Sequence, residues 1–171
     1  MKTLVIIAHP DMSNSKVNKI WGETLSKNDN ITIHELYKVS KDGKFNIEEE
    51  QALLLAHDRI VYQFPFLWYA APSLLKEWQD NVLSFGFSHG PNGTKLNGKE
   101  FMLAISAGGK DSAYRAGGYQ NFSIDELTRP YQAMANFTGM KFLPTYVLYE
   151  THALSEDTIH NSAKELSQIL A

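Results

Sequence analysis

Short apolar runs recur along the chain, and most are separated by stretches in which apolar residues return every three or four positions. An apolar run without alternation marks a strand buried on both faces, whereas spacing near 3.6 marks a helix with one buried stripe. The runs predict strands at Thr3–Ala8, Ile31–Glu35, Arg59–Gln63, Glu100–Ser106 and Lys141–Leu148. After the first, Val17, Ile20, Trp21 and Leu25 define one face of a helix. After the third, Pro72 opens a helix that carries Leu74, Leu75, Trp78, Val82 and Leu83 on one side. Ser123 and Glu126 make a capping-box pair ahead of Leu127, Tyr131, Met134 and Ala135, with Pro130 expected to kink or restart that helix and Gly139 to stop it. A last helix, starting at Ser155, is expected to bury Ile159, Ala163, Leu166, Ile169 and Leu170. The polar stretch Lys38–Asn46 reads as a surface loop before a short helix around Glu48–Ala56.

Strands that alternate with helices imply a parallel sheet, because right-handed crossovers place helices on both of its faces. The expected fold class is therefore α/β: a flavodoxin-like, five-stranded, doubly wound parallel sheet of order 2-1-3-4-5. No internal repeat, low-complexity tract or linker divides it, so residues 1–171 are expected to form a single domain. In such a sheet a ligand binds beyond the carboxyl ends of the strands at the topological switch point, where flavodoxins hold FMN. The residues that follow each strand are thus where chemistry is to be sought.

Composition narrows the chemistry. A chain of 171 residues buries about 70% of its unfolded surface without crosslinks. The absence of cysteine excludes disulfides, thiolate metal sites and a cysteine nucleophile, so redox activity would need a bound cofactor. The six histidines show no metal-ligand spacing, and no metal is expected. A net charge of −3 with interspersed signs argues against nucleic acid or an anionic membrane as the main partner. The chain opens on a core-type strand and has no apolar run of membrane-spanning length, which points to a cytoplasmic protein without membrane insertion.

Three loops carry candidate chemistry. The first, His9-Pro10-Asp11-Met12-Ser13-Asn14-Ser15-Lys16, leads from a strand into a helix, and helix-start N–H groups with hydroxyls beside them seat a phosphate. It lacks the glycine spacing of a dinucleotide fold and the Gly-Lys-Ser/Thr ending of a P-loop, and Ser13, Asn14 and Ser15 can equally serve as plain helix caps. The second loop, Gln63 to Pro72, gathers Phe64, Phe66, Trp68 and Tyr69 in a segment too interrupted by proline to continue as strand or helix. Such aromatic density in a loop suits either a docked planar ring or an oligomer contact. The third, Ser106-Ala107-Gly108-Gly109 followed by Tyr114, offers backbone that can approach a ligand closely and a phenol beside it, although a Gly pair is also an ordinary turn. His9 reads as a phosphate ligand or a brace of its loop, and His89 as a residue near the substrate mouth.

The segments His9-Pro10 through Asn18, Gln63-Phe-Pro-Phe-Leu-Trp-Tyr69 with Pro72 through Asp80, and Gly108-Gly109 through Tyr114 resemble the flavodoxin-like NAD(P)H:quinone oxidoreductases. The resemblance covers nearly the whole chain and lies nearest the short bacterial branch, which includes general-stress-type NAD(P)H dehydrogenases and ancillary oxidoreductases of potassium efflux systems. It implies phosphate contacts from His9, Ser15, Lys16, Val17 and Asn18, and flavin-ring flanks from Pro65, Phe66, Leu67 and Trp68. It implies that Ser106, Ala107, Gly108 and Gly109 face the ring's polar edge and that Tyr114 is the catalytic phenol at the nicotinamide and quinone site. Longer members carry a histidine shortly after that tyrosine; this chain has Gly117-Gly118-Tyr119-Gln120 there, so a tyrosine–histidine proton relay is not carried over. The resemblance implies FMN, with FAD left open, NAD(P)H as hydride donor, a quinone-like acceptor and a homodimer. The alternatives are a flavodoxin-type electron carrier, disfavoured by the absence of a strongly acidic block, and a flavin-binding ancillary subunit with a transporter as partner.

Overall fold

The computed structural model describes residues 1–171. Its sheet is built from β1 (Thr3–Ile7), β2 (Ile31–Glu35), β3 (Arg59–Pro65), β4 (Glu100–Ser106), β5 (Lys141–Phe142) and β6 (Tyr146–Leu148). Every neighbouring pair is parallel, in the order β2-β1-β3-β4-β5, and β6 also pairs with β4. The expected order is present. The expected last strand is split, because Pro144 has no N–H to donate and the ladder breaks between Phe142 and Tyr146. The third strand runs on through Phe64, which is fully buried, to Pro65, two residues beyond the expected end. Its proline sits at the terminus, where the missing donor costs the ladder least.

Helices α1 (Val17–Leu25) and α7 (Glu156–Leu170) cover one face of the sheet, packing on Val5, Ile7, Val61, Met102 and Ala104. On the other face, Leu4, Ile6, Ile60, Tyr62, Phe64 and Leu103 meet Leu36 of α2 (Leu36–Val39), Leu54 of α3 (Ile47–Ala56), Leu75, Trp78 and Val82 of α4 (Ser73–Val82), Ile124 of α5 (Ile124–Leu127) and Ala135 of α6 (Arg129–Phe137). Alternation along each strand therefore sorts side chains between two cores. The Ser123–Glu126 capping box forms, and the helix restarts at Arg129 with Pro130 in its first turn. Gly139, at φ 75°, ends it. Ile169 departs from expectation: it is 44% exposed, lying just off the stripe made by Ile159, Ala163, Leu166 and Leu170. Lys38 and Val39, expected in a loop, belong to α2.

Two contacts fix α1, the helix nearest the candidate phosphate loop. Gly22 lets it lie close on β1, since a Cβ there would stand 3.0 Å from Ile7 Cδ1. Trp21 is fully buried, packs tilted against Tyr146 with ring centroids 5.5 Å apart and donates its indole N–H to Ser162 Oγ of α7 at 2.9 Å. No helix is long and apolar enough to cross a membrane.

Candidate functional site

Beyond β1 the chain leaves the sheet at His9 and turns around one carboxylate. Asp11 accepts from the backbone N–H groups of Ser13 at 3.1 Å and Asn14 at 3.3 Å, from the Ser13 hydroxyl and from the Asn14 amide at 2.6 Å. These bonds, with Ser13's side chain foremost, hold its carboxyl below the ordinary range. The helix cap is Ser15, whose Oγ accepts from Asn18 N–H at 3.1 Å; Ser13 and Asn14 serve Asp11 instead. The N–H groups of Lys16 and Val17 find no acceptor in the protein, which leaves the positive end of the α1 dipole open. His9 Nδ1 accepts from Asp11 N–H at 3.1 Å, so the neutral ring carries its proton on Nε2. Burial lowers its pKa against the opposing charge of Asp11, making His9 a neutral donor.

Beyond β3, Phe66 N–H donates to Ser106 carbonyl at 2.9 Å, tying two loops together. Leu67 and Ala70 then exchange hydrogen bonds of 2.9 and 3.0 Å across a two-residue turn whose corners are Trp68 and Tyr69. Both corners are left-handed, at φ 47° and 64°. For bulky side chains this conformation costs roughly 1–2 kcal/mol each. Tyr69 donates its hydroxyl to Gln120 Oε1 at 2.9 Å, while Trp68 is 92% exposed.

Beyond β4, backbone pairing continues into the segment after β6: Ala107 N–H donates to Leu148, Glu150 N–H to Gly109 and Thr151 N–H to Ala107, at 2.8, 3.0 and 3.2 Å. The adjacent glycines have a reason internal to the protein. A Cβ on Gly108 would lie 2.9 Å from His152 Nε2, and one on Gly109 would lie 2.9 Å from the Tyr114 ring. Tyr114 is buried among Phe66 and Tyr149, and that burial, reinforced by Tyr69, raises its pKa. Burial, with Asp111 beside it, pushes Tyr149 up to about 12. Both phenols are donors at neutral pH.

These segments enclose a cavity of about 450 Å³, within the range of small-ligand sites. His9, Ser15, Lys16, Val17, Asn18, Pro65, Phe66, Leu67, Ser106 and Gly108 line it. Asn18 does so with its N–H on Ser15 and its amide nitrogen on Ser106 Oγ. Four expected residues stand off the wall: Trp68 is exposed to solvent, Ala107 is fully buried just past the end of β4, and Gly109 packs against the Tyr114 ring away from the lining. His89 packs between Phe85 and Phe137, at 5.8 and 5.6 Å, and does not line the cavity. Thr151 and His152 line it unannounced by any motif. Their signal was their position after the carboxyl end of the last strand, where the ligand rule applies as it does to the other three.

The family model for the flavodoxin-like fold matches residues 1–170. The uncharacterized NAD(P)H oxidoreductase YrkL of Bacillus subtilis is 49% identical over 170 residues, covering 99% of this chain and 98% of that protein. The glutathione-regulated potassium-efflux system ancillary protein KefG of Salmonella paratyphi B is 36% identical over 99% of this chain and 93% of its own length. Among solved structures, general stress protein 14 of Treponema denticola in complex with FMN superposes with a TM-score of 0.94 at 35% identity, covering 100% of both chains. An NADPH-quinone reductase from P. pentosaceus superposes with a TM-score of 0.91 at 36% identity, over 100% of this chain and 98% of that one. With its strand order, its cavity at the carboxyl edge and these matches along its length, the chain belongs to the family of flavodoxin-like-fold proteins that includes these oxidoreductases.

Proposed function

We propose that the cavity holds FMN and that the protein is a flavin-dependent oxidoreductase passing hydride from NAD(P)H to a quinone or similar small acceptor. One observation carries the reading: unpaired N–H groups at the start of α1 and the apolar wall Pro65–Leu67 meet in a single cavity of about 450 Å³. The FMN complex of the Treponema denticola relative supports the choice of cofactor. When bound, FMN supplies the redox chemistry by accepting hydride from the nicotinamide and releasing it to the acceptor.

The chain's own residues bind and orient. Backbone N–H groups of Lys16 and Val17, the Nε2–H of His9, the Ser15 hydroxyl and the Lys16 ammonium would hold the phosphate. Asp11 is an anion at the same rim, but its oxygens are engaged by Ser13 and Asn14, so it shapes the loop more than it repels a ligand. Pro65, Phe66 and Leu67 would flank the ring, with Ser106 and Gly108 on its polar edge. Tyr114 stays protonated with its ring against Gly109, off the cavity wall, and would act as a donor for charge that develops during hydride transfer only where a ligand reaches past the glycine pair.

The exposed turn supports a homodimer. Trp68 at 92% exposure and Tyr69 at 46% present aromatic surface next to Leu67 of the cavity wall in a turn whose backbone costs energy to hold, and Tyr119, 89% exposed, adjoins Gln120, to which Tyr69 bonds. Such residues are the usual anchors of interfaces. The identity to KefG favours a second role, docking the flavin-loaded protein on a potassium efflux system, and this role is compatible with catalysis.

Purified protein incubated with FMN is expected to turn yellow, to bleach with NADH or NADPH and to recover its colour with a quinone; protein that stays colourless defeats the reading. Tyr114→Phe, which removes one hydrogen-bond donor, is expected to lower turnover about tenfold at unchanged flavin stoichiometry. Flavin loss in that variant would make the phenol structural. Sedimentation should report twice the chain mass for the wild type and the chain mass for Trp68→Glu; an unchanged mass in the variant removes this turn from the interface. Co-purification with an efflux transporter from cells tests the ancillary role, and its absence removes it.

A further inference from the structure

Beneath the cavity floor runs a short chain of buried polar groups whose direction is fully determined. Gln63, on β3, is wholly buried, and its Nε2 donates to the Asn18 carbonyl at 3.0 Å and to Asn18 Oδ1 at 3.3 Å. A backbone carbonyl can only accept, so the nitrogen end of the Gln63 amide must face Asn18. Because that nitrogen meets Asn18 Oδ1, the nitrogen of the Asn18 amide is turned the other way, to Ser106 Oγ at 3.0 Å. An amide nitrogen can only donate, so Ser106 Oγ accepts and its own hydrogen is left over. No acceptor within the protein takes that hydrogen. Ser106 is 7% exposed and lines the cavity.

We propose that Gln63 is a positioning residue that, acting through Asn18, fixes the Ser106 hydroxyl as a hydrogen-bond donor toward the bound flavin ring. The inference rests on the flavin reading above. A second observation favours it over a packing role: Gln63 Oε1 is buried with no partner. A buried amide with an orphan oxygen is less stable than an apolar side chain of similar size, so packing alone gives no reason for glutamine here. Its donor end does work that an apolar residue could not, linking β3 to the first turn of α1, from which Asn18 carries the chain on to Ser106 at the end of β4.

The chain's polarity supplies the test. Asn18→Asp keeps the bond from Gln63, but an ionised carboxylate only accepts, so the Ser106 hydroxyl must turn to it and away from the ligand. Riboflavin is the probe, because without a phosphate it is little affected by the added charge. At about pH 8, well above the carboxylate range, Asn18→Asp and Ser106→Ala are each expected to weaken riboflavin binding about three- to tenfold and to shift the bound flavin's visible spectrum in the same direction. The double variant is expected to be no weaker than either single one, and Gln63→Met to weaken binding about threefold with the same spectral shift. Wild-type affinity and spectrum in Asn18→Asp, or losses that add in the double variant, would overturn the proposal. Should Gln63→Met fail to fold by circular dichroism, the Asn18 and Ser106 pair decides alone. A wild-type protein that binds neither flavin overturns the flavin reading itself, an outcome separate from variants that bind like wild type.

Discussion

The site depends on how β1, β3 and β4 end relative to one another. In the observed register Ile7 lies beside Gln63, Gln63 beside Ala104 and Pro65 beside Ser106. Val61 and Gln63 share one face of β3, while Met102, Ala104 and Ser106 share the same face of β4, so the apolar core under α1 and α7 passes into polar residues where the strands run out. A one-residue slip would exchange every side chain between the faces. Phe64 would then take the place of Gln63, and both the buried amide chain and the cavity floor would be lost. Hydrophobic sorting along the strands, which fixes the register, therefore also places the polar groups.

Helix α1 transmits that register to the candidate phosphate seat. Its approach to β1 is set by Gly22, and its rotation is set by Trp21, whose indole is held by Ser162 of α7. With those contacts made, the first turn has no freedom: Asn18 meets Gln63 and Ser106, Ser15 caps Asn18, and the N–H groups of Lys16 and Val17 are left facing outward. An anion-binding helix end elsewhere on a surface would cost little to misplace. Here it is joined covalently and by hydrogen bonds to the wall that receives the ring, so phosphate and ring positions are set together.

Much of this was legible in the sequence, because burial on two faces leaves unmixed apolar runs and capping chemistry is local. Ser123 with Glu126, and the restart at Pro130, followed from residues within one turn of each other. The errors came from long-range effects. Pro65 reads as a strand breaker until its place at the end of a ladder beside Ser106 is known. Ile169 falls on the expected helix face by spacing, yet α7 reaches solvent there. The glycine pair reads as a close approach for a ligand, and Gly108 lines the cavity, but nothing in the sequence signals that His152 and the Tyr114 ring also pack where a Cβ would stand. His152 comes from a segment that carries no motif of its own and is marked only by its place beyond the carboxyl end of the last strand.

The protonation pattern bears on how such a site would work. His9 is kept neutral by burial, and Tyr114 and Tyr149 are kept protonated by the same cause. Asp11's charge is taken up within its own loop. Lys16 is then the one fixed cation on the cavity wall, at the phosphate end, and the wall from Pro65 to Ser106 and Gly108 carries no formal charge. Charge appearing on a ring held there would be met by oriented neutral donors, which need no change of protonation and little reorganisation when the charge arrives. An electron carrier that docks on a protein partner gains from a strongly charged face. A site that exchanges hydride with small molecules gains instead from fixed dipoles in a shaped cavity, and that is the arrangement these residues make.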